Sequence, residues 1–269
     1  MKNYSFIILI ILIAFSACQN DKDKAKEAAN EQSVTDTLNY AYDSVKVYSK
    51  HIPKGNESFI DTAKASISYP VFKNDSLNQF IKRKVFDFFA EEEQATSYQD
   101  ITNSFIKGYD DFVKSNPNTP QSWFLMIKIN VIKQNSSYIA LKYIHSDYAG
   151  GAHGNTMISF LNYNPKTNTI ITLDSLIQKG KMEELIRTAE GIFRKNEKLS
   201  TNEPLADKYF FDKGKFALAQ SFYIGDKGLV FLYNPYEIKA YAEGYTELIV
   251  PFSSLKSIAK PQTILTTLQ

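Results

Sequence analysis

What most limits the folds open to this chain is a change of hydrophobic period, from two to about 3.6 and back, that occurs twice along its length. The segments "AYDSVKVYSKHI" and "AKASISYPVF" alternate as strands do. Leu77, Phe80, Ile81, Val85, Phe88 and Phe89 then recur at helical spacing, behind an N-cap at Asp75 or Ser76. Ile101, Phe105, Tyr109, Phe112 and Val113 repeat that pattern until "SNPNTP" stops it. Trp123, Leu125, Ile127, Ile129 and Val131 line one strand face, and "KQNSS" turns the chain into a hairpin partner over 138–147. Strands over 159–163 and up to about Leu173, separated by "NPKTN", precede a third helix marked by Met182, Leu185, Ile186, Ala189 and Phe193. Two last strands, 215–224 and 229–233, are joined by "GDKG".

Two blocks of helix, each beside antiparallel hairpins, indicate an α+β fold. The expected architecture is antiparallel sheets with amphipathic helices packed on one face, in two similar-sized halves, 38–120 with two helices and 121–269. Phe80, Ile81, Val85 and Phe88, with Leu185, Ile186 and Phe193 on the later helix, are the expected core.

The N-terminus carries its own signal. Lys2 is followed by an apolar run from Phe6 to Phe15 and then by Ser16, Ala17 and Cys18. A positive start, a short apolar core and small residues before the cut describe a secretory signal peptide over 1–17. A membrane-spanning helix needs about 20 apolar residues, more than this run supplies. Cys18 is the only cysteine, so no intramolecular disulfide forms. Its setting resembles the lipobox of bacterial lipoproteins, with Phe15 where leucine is more usual. That resemblance implies a diacylated Cys18 at the mature N-terminus, and two acyl chains anchor a protein stably to a membrane. Residues 18–37 follow as a flexible tether: eight of the nineteen residues after the cysteine are charged and none is aromatic.

The formal net charge is +2, with no dominant basic patch, which argues against nucleic acid as a partner. With 17 Tyr and 19 Phe against one Trp, the aromatic content suits half-buried sheets and contact surfaces for protein or polysaccharide.

The richest stretch is "HSDYAGGAHGNTMISF", residues 145–160. It holds two of the three histidines and three of only 11 glycines. On a strand, His145 and Asp147 share a face, and the glycines could fold His153 back towards them. Three readings stand side by side. Gly150, Gly151 and Gly154 serve a tight turn with His153 hydrogen-bonded locally; or Asp147, Tyr148, Gly150, Gly151, His153 and Gly154 form a ligand loop; or His145, Asp147 and His153 form a metal set or an acid–base pair. No HExxH or GxSxG motif supports the last. Tyr236 and Glu237 in "NPYEIKAYAEG" are a second turn or a further part of a ligand surface.

"ISYPVFKNDSLNQFIKRKV", "HSDYAGGAHGNTMISFLNYNPKTNTIITLDSLI" and "GLVFLYNPYEIKAYAEGYTELIVPFSSL" together resemble an extracytoplasmic module. It occurs as the accessory region of PdaC-type peptidoglycan deacetylases and in the lysozyme-sensing anti-sigma factor RsiV. The similarity runs from about Ala65 to Leu255, with a PdaC-like first half and an RsiV-like second. The resemblance implies a binding or sensor-like envelope module, with a lysozyme-type protein or peptidoglycan as partner. A deacetylase would bring a separate metal-binding domain with clustered Asp and His, and three histidines do not furnish one. An anti-sigma factor would place a sigma-binding segment before the apolar run, where only Met1 to Ser5 stand. The expectation is a non-enzymatic lipoprotein without cofactor or metal; the alternative is a wall-directed or metal-dependent hydrolase using His145, Asp147 and His153.

If Cys18 is the lipidated mature N-terminus, Cys18→Ser leaves unprocessed precursor or releases soluble protein. Unchanged mature mass and membrane partitioning of that variant, measured by mass spectrometry after fractionation, would exclude the lipoprotein assignment.

Overall fold

The computed structural model describes residues 38–53, 62–89 and 95–267, so the expected signal peptide, Cys18 and the whole of the tether lie outside them. Residues 38–269 form one compact unit. Among the described residues no helix is long and apolar enough to cross a membrane.

Strand β1 (Tyr40–Tyr48) pairs antiparallel with β2 (Lys64–Phe72). The alternation in β2 puts Ala65 and Ile67 in the core. Helix α1 (Asp75–Phe86) follows, capped one residue earlier than expected: the Asn74 side chain accepts a hydrogen bond from the Leu77 N–H at 3.0 Å. Its buried stripe is Leu77, Phe80, Ile81 and Val85. The helix ends at Phe86, before the apolar repeat does, and this corrects one expectation: Phe88 is not core but 49% exposed.

Helix α2 (Tyr98–Ser115) opens on a capping box. The Ser97 hydroxyl accepts from the Asp100 N–H, and the Asp100 carboxylate accepts from the Ser97 N–H. Hydrogen bonds from Thr96, backbone and hydroxyl, together with those from Ser97, hold the Asp100 carboxyl below its ordinary value.

The two helices carry the chain back to β3 (Phe124–Asn135), which runs parallel to β2, Ile67 opposite Ile127. The sheet is therefore mixed rather than wholly antiparallel, because two parallel neighbours need a crossover and α1 with α2 supply it. Strands β4 (Tyr138–Tyr148), β5 (Asn155–Asn164) and the short β6 (Thr169–Ile170) complete a six-stranded sheet in sequence order, each antiparallel to the last. Residue 120, where the sequence suggested a division, lies between β2 and β3, which are hydrogen-bonded neighbours.

β4 is buried on both faces. Ile139, Leu141 and Tyr143 join the core beneath α1 and α2, whereas Tyr138 and Ala140 join a second core. That second core gathers α3 (Met182–Asn196), through Leu185, Ala189 and Phe193, and a separate antiparallel sheet. The helices thus divide between two cores instead of sharing one face, and Ile186 only packs at the margin. The second sheet is β7 (Phe222–Ile224), β8 (Gly228–Tyr233) and β9 (Thr246–Pro251). β7 is much shorter than the expected 215–224, and β9 is a strand the sequence pattern did not suggest.

The corrected core has a direct check. Phe80→Ala is expected to cost about 3–5 kcal/mol, as large-to-small core changes do, and Phe88→Ala less than about 1 kcal/mol, as for a partly exposed side chain. Urea unfolding of the two variants measures both; similar losses would mean that α1 is misplaced.

Candidate functional site

Two sites flank the loop between β4 and β5. The first lies on the face of β4 that meets the helices. Strand alternation continues from Tyr143 to His145 and Asp147. His145 is buried and its Nε2 lies 3.1 Å from Asp147 Oδ1. A carboxylate accepts, so Nε2 carries the proton and, in the neutral ring, Nδ1 is left as an acceptor. That Nδ1 is buried and finds no hydrogen-bond partner among the described residues. The Phe88 ring covers the imidazole at 4.1 Å between centroids, with Phe89 at 5.9 Å. Burial pushes the phenol of Tyr143, two residues back on the same face, well above its ordinary value. A groove of about 760 Å³ opens here, with Phe105, Trp123 and Asp147 among the residues on its walls.

The second site is built by the loop itself. Gly150 and Gly151 adopt φ of +103° and +98°, conformations that side chains rarely take. Gly154 is needed for a different reason: a Cβ there would sit 2.9 Å from the backbone oxygen of Asp147. The Tyr148 hydroxyl donates to the Gly151 carbonyl at 3.0 Å and braces the turn. His153 Nδ1 lies 2.9 Å from the carbonyl of its neighbour Gly154. Its ring stacks on Tyr241 at 4.7 Å and lies 6.4 Å from Tyr236, which is itself 5.5 Å from Tyr241.

Tyr236 is 57% exposed and held at φ +68° by the turn after β8. Glu237 serves that turn, its carboxylate accepting from the Asn234 N–H at 2.8 Å. The Asn234 side chain in turn pairs with both backbone groups of Ile158 on β5, accepting at 2.7 Å and donating at 3.0 Å. In this way the second turn is pinned beside the first.

The structure therefore sorts the sequence candidates. His145 and Asp147 meet, as same-face strand residues should. His153 turns instead to Tyr236 and Tyr241, and among the described residues no three His, Cys, Asp or Glu side chains are grouped to hold a metal ion. Tyr241 was not singled out from the sequence, although its placement in "KAYAEGY", five residues after Tyr236, was the available signal. Sequence spacing assigns Phe88, Phe89 and Phe105 to helix faces and Trp123 to a strand face; in the structure they form one aromatic wall.

This fold is shared by two solved DUF3298-family structures. One, from Bacteroides fragilis, matches with a TM-score of 0.69 at 23% identity, covering 87% of this chain and 99% of that one. The other, from Pseudomonas aeruginosa, matches with a TM-score of 0.62 at 16% identity, covering 83% of this chain and 95% of that one. Two family models match in tandem: "Deacetylase PdaC" over residues 56–156 and "Protein of unknown function (DUF3298)" over 164–253. The chain thus carries a PdaC-like region followed by a DUF3298-like region. It is 22% identical over 205 residues to the peptidoglycan-N-acetylmuramic acid deacetylase PdaC of Bacillus subtilis, covering 74% of this chain. It spans only 39% of that relative's length.

The glycine assignments make a prediction. Gly151→Ala is expected to destabilise the fold by about 1 kcal/mol or more through its positive φ, and Gly154→Ala by a similar amount through the clash with Asp147. His153→Ala should barely move the melting temperature, because its ring contacts are on the surface. Thermal melts of the three variants decide it.

Proposed function

We propose that this chain is a non-catalytic envelope lipoprotein, anchored through Cys18, whose folded part binds an extracytoplasmic protein or peptidoglycan. The PdaC-like and DUF3298 matches support an extracytoplasmic, cell-wall-associated accessory module. The observation that carries the binding role is the stack of His153, Tyr236 and Tyr241, three rings presented on one surface by two braced turns. Exposed aromatic rings offer large contact area for little loss of side-chain entropy, and their edges and hydroxyls still hydrogen-bond. Such a platform suits a sugar ring or a loop of a lysozyme-type protein. Tyr148, Gly150, Gly151, Gly154 and Glu237 act behind it, setting the shape of the turns.

The hydrolase alternative needs His145, Asp147 and His153 in one place. His145 is covered by Phe88 while His153 stacks on Tyr241, and that division favours binding over hydrolysis.

Sedimentation of the detergent-solubilised full chain with insoluble peptidoglycan, and capture on immobilised lysozyme, test the proposal. Tyr236→Ala with Tyr241→Ala is expected to lower the bound fraction at least tenfold on one of the two without shifting the melting temperature. Undiminished binding by the double variant, or no binding by the parent chain, would overturn it.

A further inference from the structure

The groove over His145 has its own chemistry, beyond the surface proposed above and independent of it. Its walls share no residue with the aromatic stack. Phe88, Phe89, Phe105 and Trp123 supply aromatic faces, with Phe105 6.1 Å from Trp123 and Phe88 5.3 Å from Phe89. Asp87 and Asp147 supply carboxylates, and no lysine or arginine is among the lining residues. The nearest cation to Asp87 is Lys84, 3.7 Å away, but both side chains are largely exposed and screened by solvent. Asp147 is different. It is 26% exposed, and its described partner is the imidazole of His145. One carboxylate oxygen accepts from Nε2–H, which leaves Asp147 Oδ2 as the acceptor that the groove offers. A floor that offers a hydrogen-bond acceptor and a negative charge, under aromatic rings whose faces are also negative, is complementary to a desolvated cation that donates hydrogen bonds. Ser104, Trp123 and Asn155 add hydrogen-bond donors to the lining, but none of them carries a positive charge.

We propose that this groove binds a ligand carrying a primary ammonium group next to an apolar chain or the C–H face of a sugar ring. The ammonium donates to Asp147, and the apolar part lies against Phe88, Phe105 and Trp123. The volume of about 760 Å³ is within the range of small-molecule sites and exceeds what a lone ammonium ion would need. An amino sugar and an aliphatic diamine share this chemistry, and the experiment separates them.

Calorimetric titration of the detergent-solubilised full chain at low salt uses three probes: a glucosamine trimer, 1,5-diaminopentane and an N-acetylglucosamine trimer. At least one amine is expected to bind, with the acetylated trimer at least tenfold weaker than the glucosamine trimer if the sugar is the source. Binding by the diamine alone assigns the site to aliphatic amines. Asp147→Asn is expected to weaken the bound amine at least tenfold. Should that variant unfold in a melt, Asp87→Asn, on an exposed side chain, is expected to weaken binding at least threefold. Each titration is run in the Tyr236→Ala, Tyr241→Ala chain as well, where binding that persists belongs to the groove and not to the aromatic stack; amine binding lost in that chain would overturn the proposal. No binding by either amine, equal binding of the acetylated and free trimers, or full affinity in a folded Asp147→Asn chain would each overturn the proposal.

Discussion

Tyr138 and Asn162 join the two sheets through atoms that are out of reach of water. The Tyr138 hydroxyl donates to Asn162 Oδ1 at 2.7 Å and accepts from the Ile224 N–H at 2.8 Å. The Asn162 amide donates to the Phe222 carbonyl at 2.7 Å. Each partner is a buried polar group that would cost about 1–3 kcal/mol if left unmatched. The network therefore admits few other placements of β7 against β4 and β5. Burial also pushes the Tyr138 phenol well above its ordinary value, which favours the neutral hydroxyl that the network uses as a donor.

This arrangement makes β4 and β5 common property. β4 sends Ile139, Leu141 and Tyr143 into one core and Tyr138 and Ala140 into the other. The PdaC match ends at residue 156 and the DUF3298 match begins at 164, so the two matched regions meet at β5, inside a single sheet. The loop joining β4 to β5 is accordingly a point where the two regions meet: His153, from the first, stacks on Tyr241, from the second.

Much of this was legible in the sequence, and the exceptions have physical reasons. The three amphipathic stripes and the alternation of β1 to β5 gave the α+β class, since burial of one face imposes those periods locally. The parallel step from β2 to β3 depends on where α1 and α2 return the chain, which periodicity does not record. β9 escaped because "TELIVP" alternates only briefly and ends in proline. Phe88 continues the helical spacing of Val85, but α1 stops at Phe86, and the ring goes to His145 rather than to the core. Within the site, His145 and Asp147 were readable as strand neighbours; the direction of His153 was not, because positive φ at Gly150 and Gly151 can send the loop either way.

The second region also changes what the outer margin of β5 presents to other molecules. Strand margins with free amides and carbonyls invite pairing with a foreign chain. Here the margin is occupied by side chains: Asn234 takes both backbone groups of Ile158, and the Ser221 hydroxyl accepts from the Phe160 N–H at 3.0 Å. The Ile171 N–H donates to the Asn162 carbonyl at 2.9 Å. Two short polar side chains and one backbone amide thus do what another strand would have done, without the length of chain a strand requires. Such a margin removes one route to fibrillar self-association, and it does so with residues already committed to docking the second sheet.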